Sequence, residues 1–321
     1  MAVPAAQDLG YYKRQGLDVK IINVGTASTG TIQMLVAGRA DIATASIASG
    51  IGAYVAGATD IRFIGAELNA IYSLNKLKWF FAAKSSINTV ADLKGKTIGI
   101  PAGPNPTDPV YVQIKALLAS AGLSDKDVRW TVAGAPAARV QALSAGRIDF
   151  TTMPMEMSYF VTPDKGLHLL YFDPVGANNG WNGCQCWFIS AKTLQDPEAR
   201  EAAQRFVTAT ALAVRDMSRD KALFTKAVSL YFDMATQTPQ SIDNTWNYYR
   251  VQYLANGGIN FDYMNTWLND VYFAAVNPGA KGKVSLRQFA DAGLVEAFLD
   301  KHGVDAAATW DPPQLALPAA P

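Results

Sequence analysis

The stretch QMLVAGRADIATAS, residues 33–46, returns 108 residues later as QALSAGRIDFTTMP, residues 141–154. Residues 24–44 and 132–152 are identical at nine of 21 positions, among them Gln33/Gln141, Leu35/Leu143, Gly38/Gly146, Arg39/Arg147 and Asp41/Asp149. Each copy reads as a helix end, a glycine stop and a strand. Gly38 and Gly146 suit the left-handed conformation that ends a helix. Arg39 and Arg147 sit near the negative helix C-terminus. Asp41 and Asp149 open the strand and are placed to pair locally. The phrase is scaffold rather than chemistry, and its recurrence points to two similar α/β lobes.

The surrounding order agrees. In the first copy the pattern predicts a helix over 5–15 closed by Gly16, a strand over Asp18–Val24, a helix over Thr29–Ala37 and a strand over Ile42–Ala45. A helix of small residues, Ser46–Ala56, and a strand, Ile61–Glu67, follow. The second cycle has strands at Thr97–Pro101, Val128–Val132 and Ile148–Thr152, with helices at Val110–Ser120 and Ala137–Ala145. Helices alternating with short apolar strands make the fold class α/β, a sheet with crossover helices. After Lys192 the sequence turns to amphipathic helices, beginning with DPEAREAAQRFVTATALAVRDM, and it ends in the Pro-rich DPPQLALPAAP.

Bulk composition excludes several classes. With 321 residues the chain has room for two domains, and 50% hydrophobic against 17% charged residues suits a foldable, rather apolar chain. Its net charge of +1 gives no electrostatic case for nucleic acid or an anionic membrane. The uncharged run Ile42–Thr59 is too short and too weakly apolar to span a bilayer. Cys184 and Cys186 are two residues apart, where a disulfide would be strained, so buried thiols are expected. A zinc site would need more ligands than His168 and His302 supply. There is no Walker loop, G-x-G-x-x-G, G-x-S-x-G or H-E-x-x-H. Neither a catalytic residue, a metal nor a cofactor is assigned.

Binding signals are better. In α/β sheets ligands collect beyond the carboxyl ends of strands, where loops lead into helix N-termini. That rule selects Pro4–Gln7, GTASTGT (25–31), TASI (44–47) and Glu67–Asn69 in the first lobe, and AGPNPTD (102–108), GAPA (134–137) and TMPME (152–156) in the second. In GTASTGT, small hydroxyl residues leave N–H and Oγ groups for a carboxylate or sulfonate. The alternative is that Ser28 or Thr29 only caps the helix. AGPNPTD poses the same choice, with Thr107 or Asp108 as cap. Trp181 lies in a Gly- and Asn-rich loop and is a candidate contact. Glu156 either accepts bonds from a ligand amine or faces water.

With these loops laid out, AAQDLGYYKRQGLDVKIINVG, LVAGRADIATAS, INTVADLKGKTIGIPAG and LSAGRIDF resemble the nitrate/sulfonate/taurine branch of ABC-transporter solute-binding proteins, which also includes binders of thiamine-pyrimidine precursors. The resemblance implies a two-lobed periplasmic-binding-protein fold of the type II kind, closing on a small molecule by a hinge. Lobe 1 would hold residues 1–82 and 187–321, lobe 2 residues 83–186, with crossings near Phe80–Lys84 and Gln185–Ser190. Carried over by position, the binding loops fall on Thr26, Ala27, Ser28 and Thr29, on Thr44 and Ser46, on Asn105, Thr107 and Asp108, and on Thr152, Met153 and Glu156. Asn69 and Trp181 join them from the reading above.

The implied partners are a small-molecule ligand and a membrane ABC permease, with the binder a monomer outside the cytoplasm. The family pattern carries a leader and a strand ahead of AAQDLGYY. The chain as given shows neither, so the first sheet is expected to be a strand short. None of the selected loops presents a clear Lys or Arg, and Arg139 is one turn into a helix. A small organic acid with an apolar or aromatic body therefore fits best. The alternatives are a pyrimidine-precursor binder, a synthase-like enzyme on the same scaffold, and a cytosolic sensing module.

Overall fold

Short helices and strands alternate from the N-terminus. The computed structural model describes residues 2–23, 28–68, 79–104, 108–153, 155–172, 185–230, 234–269, 280 and 282–317. Helices α1 (Ala2–Asp8), α2 (Tyr11–Arg14) and α3 (Ser28–Val36) precede strand β1 (Ile42–Ala45), helix α4 (Ile47–Val55) and strand β2 (Ile61–Ala66). Then come β3 (Trp79–Lys84), β4 (Thr97–Ile100), α5 (Pro109–Ser120), β5 (Arg129–Val132), α6 (Pro136–Ser144), β6 (Phe150–Thr151) and β7 (Leu167–Phe172). Strand β8 (Cys186–Ser190) leads into α7 (Ala191–Gln195), α8 (Pro197–Arg219), α9 (Lys221–Ser229), α10 (Pro239–Tyr249), α11 (Phe261–Leu268), α12 (Leu286–Phe289) and α13 (Gly293–His302). No helix among the described residues is long and apolar enough to cross a membrane.

Both copies of the repeated phrase stop their helix with the same pair of bonds. Arg39 N–H donates to Met34 O at 2.9 Å and Gly38 N–H to Leu35 O at 3.0 Å. Arg147 N–H donates to Ala142 O and Gly146 N–H to Leu143 O, both at 2.9 Å. This is the Schellman arrangement, and it requires a left-handed residue at the stop. Gly38 and Gly146 supply it at φ 65° and 71°. Asp149 takes a wider role than local pairing. Its carboxylate accepts from Thr97 N–H at 2.8 Å and pairs with Lys84 at 2.5 Å, tying β3 and β4 together.

The strands form two sheets, ordered β1-β8-β2 and β5-β4-β6-β3-β7. Strand β8 runs antiparallel to both of its neighbours. In the second sheet β4 is parallel to β5 and β6, whereas β3 is antiparallel to β6 and β7. Trp79–Lys84 pairs in the second sheet, and Cys186 pairs in the first. Cys186 is a fully buried free thiol, as expected, and Cys184 lies outside the described residues.

Two N-terminal expectations change. The helix over 5–15 is broken at Gly10, whose φ of 77° is not helical, into α1 and α2. Residues 17–23 form no strand, although Asp18–Val24 has strand composition. A groove of about 690 Å3 lies between Leu17–Ile22 and Ile42–Thr44 of β1, bordered also by Ala199 and Phe206 of α8. Ile21 and Ile22 are 40% and 47% exposed. A strand needs a neighbour to satisfy its backbone groups, and the groove holds these residues away from β1.

Helix α8 is the back wall of the first sheet. Asp196 caps it at Ala199 N–H, 2.9 Å, and Pro197 occupies its first turn. Its buried face receives Tyr12, which stacks on Phe206 at 5.5 Å and bonds Thr210 Oγ1 at 2.9 Å. Tyr11 donates to Asp216 at 2.6 Å, so α2 is anchored by both tyrosines. The C-terminal segment is held by a buried polar network. Asn256 N–H donates to Asp311 Oδ2 at 2.5 Å, and Asn256 Nδ2 donates to Asp305 O and Asp311 O at 3.2 and 2.9 Å.

This packing can be tested at two points. Gly65 sits at the register shift between β2 and β8 with φ 140°, and a Cβ there would lie 2.8 Å from Trp187 and 3.0 Å from Gly257 O. Gly65→Ala should lower unfolding free energy by about 1–3 kcal/mol in urea titration. Burial pushes the Asp311 carboxyl up to about 7. A folded-state value above the unfolded one means its stabilising contribution is full below the ordinary Asp range and is lost as pH rises towards 7. Asp311→Asn keeps an acceptor for Asn256 N–H. Its melting temperature should therefore gain on the parent's as pH is raised from 4 to 8, read by differential scanning fluorimetry.

Candidate functional site

The carboxyl ends of β1 and β2 bring the first-lobe residues together. Thr31, in the first turn of α3, donates to Thr44 O at 2.9 Å, which sets the start of α3 beside the end of β1. Ser46 follows directly as the N-cap of α4, accepting from Ser49 N–H at 3.2 Å and sharing a 2.9 Å bond with Ser49 Oγ. At the end of β2, Glu67 is 1% exposed, and its Oε1 accepts from Ala2 N–H at the start of α1, 3.1 Å. Ser28 and Thr29 open α3, but their side chains, with Thr26, Ala27 and Asn69, lie outside the described residues. Thr44 is half-buried and also borders the groove beside β1.

The second sheet gathers three loops because β4, β5 and β6 are parallel neighbours. Their carboxyl ends lead into residues 101–108, 133–135 and 152–153. Asp108 caps α5, its Oδ1 accepting from Val110 and Tyr111 N–H at 2.8 and 3.1 Å. That settles the cap for this residue, while Asn105 and Thr107 lie outside the described residues. Thr152 and Met153 are buried at 9% and 5% exposure. Glu156 belongs to the 3-10 turn Met155–Phe160, which packs against α10. Its side chain is outside the described residues, as is Trp181.

Arg139 is the residue that sequence reasoning set aside. It is 4% exposed and donates to Gly134 O at 2.7 Å, to Thr152 O at 3.3 Å and to Thr152 Oγ1 at 3.4 Å. One side chain thus binds the loops after β5 and β6, and the charge of Asp108, at the end of the loop after β4, reaches it too. Burial lowers its pKa to about 10, so it stays cationic at neutral pH. The signal in the sequence was its position. Residue 139 is the fourth of α6, where a long side chain reaches back over the helix start.

The caps are separable from any ligand role by substitution. Ser46→Ala and Asp108→Ala should each cost about 1 kcal/mol of stability, whereas Asp108→Asn, which keeps the accepting oxygen, should cost less. Urea unfolding of the three variants reads the difference.

The chain's likenesses fit this geometry. The NMT1/THI5-like family matches residues 1–221. No curated protein matches. Among solved structures, a Bordetella bronchiseptica RB50 protein is 22% identical over 94% of this chain and 93% of its own, with a TM-score of 0.68. The alkanesulfonate-binding protein SsuA of Xanthomonas axonopodis pv. citri, bound to MOPS, is 18% identical over 87% and 91%, with a TM-score of 0.63. The desulfurization enzyme DSZB, solved as a mutant in complex with biphenyl-2-sulfinic acid, is 14% identical over 94% and 96%, with a TM-score of 0.58. The periplasmic-binding-protein fold expected from the sequence is therefore the fold of this chain, which belongs to the NMT1/THI5-like family.

Proposed function

We propose that the protein is a solute-binding component of an ABC importer that captures a small organic acid, sulfonate- or carboxylate-like. One lobe carries β1, β2, β8 and the C-terminal helices, the other β3–β7. The ligand lies where the carboxyl ends of their strands face one another, and hinge closure holds it there. The observation that carries the reading is the second-sheet loop cluster. Three parallel strands open side by side onto loops underlain by a buried, cationic Arg139. Such a site favours negative charge. An alkanesulfonate binder with the same fold supports the class of ligand.

Ser28, Thr29, Thr44 and Ser46 would supply N–H and hydroxyl groups from the first lobe, together with Thr26, Ala27 and Asn69. Asn105, Thr107, Asp108, Thr152, Met153, Glu156 and Trp181 would face them from the second. In this reading the protein is a monomer outside the cytoplasm, takes no cofactor, and hands an unchanged ligand to a permease. DSZB shares the fold, so a synthase-like or other enzyme on this scaffold is the second reading.

Thermal-shift screening followed by calorimetry tests the proposal. The panel is alkanesulfonates including MOPS, aromatic carboxylates, nitrate, and a thiamine-pyrimidine precursor. Organic sulfonates or carboxylates should raise the melting temperature and be recovered unchanged by mass spectrometry. Stabilisation by nitrate or cationic compounds alone would overturn the ligand class, and a converted ligand would favour the enzyme.

A further inference from the structure

A buried guanidinium normally meets a carboxylate, because desolvating an isolated charge is costly. Arg139 does not follow that pattern. Its three bonds end on neutral oxygens: Gly134 O, Thr152 O and Thr152 Oγ1. Among the described residues no carboxylate lies within ion-pair distance of it. Asp108 reaches it only through space, and the Asp108 Oδ1 atom is already engaged by two backbone N–H groups. The start of α6, one turn away, adds positive potential of the same sign, and Ala135 offers it no side-chain cap. Two positive sources therefore share one corner of the second sheet, at the carboxyl ends of β5 and β6. The three bonds use three separate N–H groups of the guanidinium, and none of them places a carboxylate against its charge.

We infer that Arg139 is a specificity-determining residue of the ligand site, a buried cation whose direct ion-pair partner is the acidic group of the ligand. It acts in two ways. Its bonds to Gly134 and Thr152 fix the spacing of the two loops, which makes it a positioning residue. Its field, from a side chain only 4% exposed, favours an anionic head group over a neutral one of equal shape. The inference rests on the solute-binding reading above and deepens it. It names which residue distinguishes an acid from its neutral analogue.

The test pairs a binding measurement with one that needs no ligand. Hexanesulfonate and the neutral hexanesulfonamide are titrated calorimetrically into the parent, Arg139→Lys, Arg139→Met and Glu156→Gln. Arg139→Met should lose at least about tenfold in sulfonate affinity while its sulfonamide affinity stays within a few-fold, and Arg139→Lys should recover part of the preference. Equal loss for both compounds would reduce Arg139 to a loop clamp. A sulfonate affinity that rises several-fold in Glu156→Gln would show that Glu156 is a repelling neighbour and would leave the inference intact. No change in Arg139→Met would overturn the inference and leave the solute-binding reading standing.

The ligand-free arm places a thiol beside the guanidinium by Thr152→Cys, in a Cys184→Ser, Cys186→Ser background. Its ionisation is followed by thiolate absorbance against pH. With Arg139 unneutralised, the thiol should titrate at least about one unit lower than in the same protein carrying Arg139→Met. An equal titration in the two proteins would mean that the charge is already compensated, and would overturn the inference whether or not any sulfonate binds. If the parent binds neither compound nor any acid of the screening panel, the solute-binding reading fails on its own terms, and the specificity role falls with it even where the thiol shift is found.

Discussion

The first sheet exists because a strand from far along the chain is inserted into it. β1 and β2 do not pair with each other. They are joined by β8, which lies antiparallel between them and arrives only after the chain has built the second sheet. Trp187 and Phe188 of β8 are fully buried, with Phe188 at 6.0 Å from Phe63 and 6.2 Å from Phe289, and Trp187 at 5.9 Å from Phe206. Removing β8 would leave two short strands with unpaired backbone on both sides, which cannot persist in a core. The same insertion obliges the chain to pass between the sheets twice.

Around that constraint the helix starts are arranged with care for their unpaired N–H groups. Ser46, Asp108, Ser190, Asp196, Asp220 and Thr238 each accept backbone bonds at the start of a helix. α6 is the exception among the helices that follow a strand of the second sheet, because its cap residue is Ala135. It shares that with α2, α12 and α13, which also begin without a side-chain cap bond.

Part of this was legible in the residues alone. The helix-glycine-strand joint is a local event. A Schellman stop depends on one glycine and a few neighbouring carbonyls, so GRAD and GRID predicted both joints and their bonds followed. The cap at Asp108, offered beside Thr107, is local for the same reason, since a side chain reaches only two or three residues forward, whereas Ser46 was read as the first residue of its helix and is its cap. Selecting loops at strand carboxyl ends named Thr152 and Met153, because parallel pairing of β4, β5 and β6 follows from alternating helices and strands.

What the sequence determined by itself, then, was the local grammar: element type, helix stops, helix caps, and the family pattern that carries the fold. The tertiary structure decided whatever depends on a partner distant in sequence. Residues 17–23 have the composition of a strand and are not one, because backbone pairing needs a neighbour within reach. β3 and β8 pair with strands that lie tens of residues away or more, which no local pattern reports. Arg139 looked like one more residue on a helix. It became the link between two loops only when folding set Gly134 and Thr152 beside it, and no periodicity in a sequence reports which buried charges lack a direct ion pair.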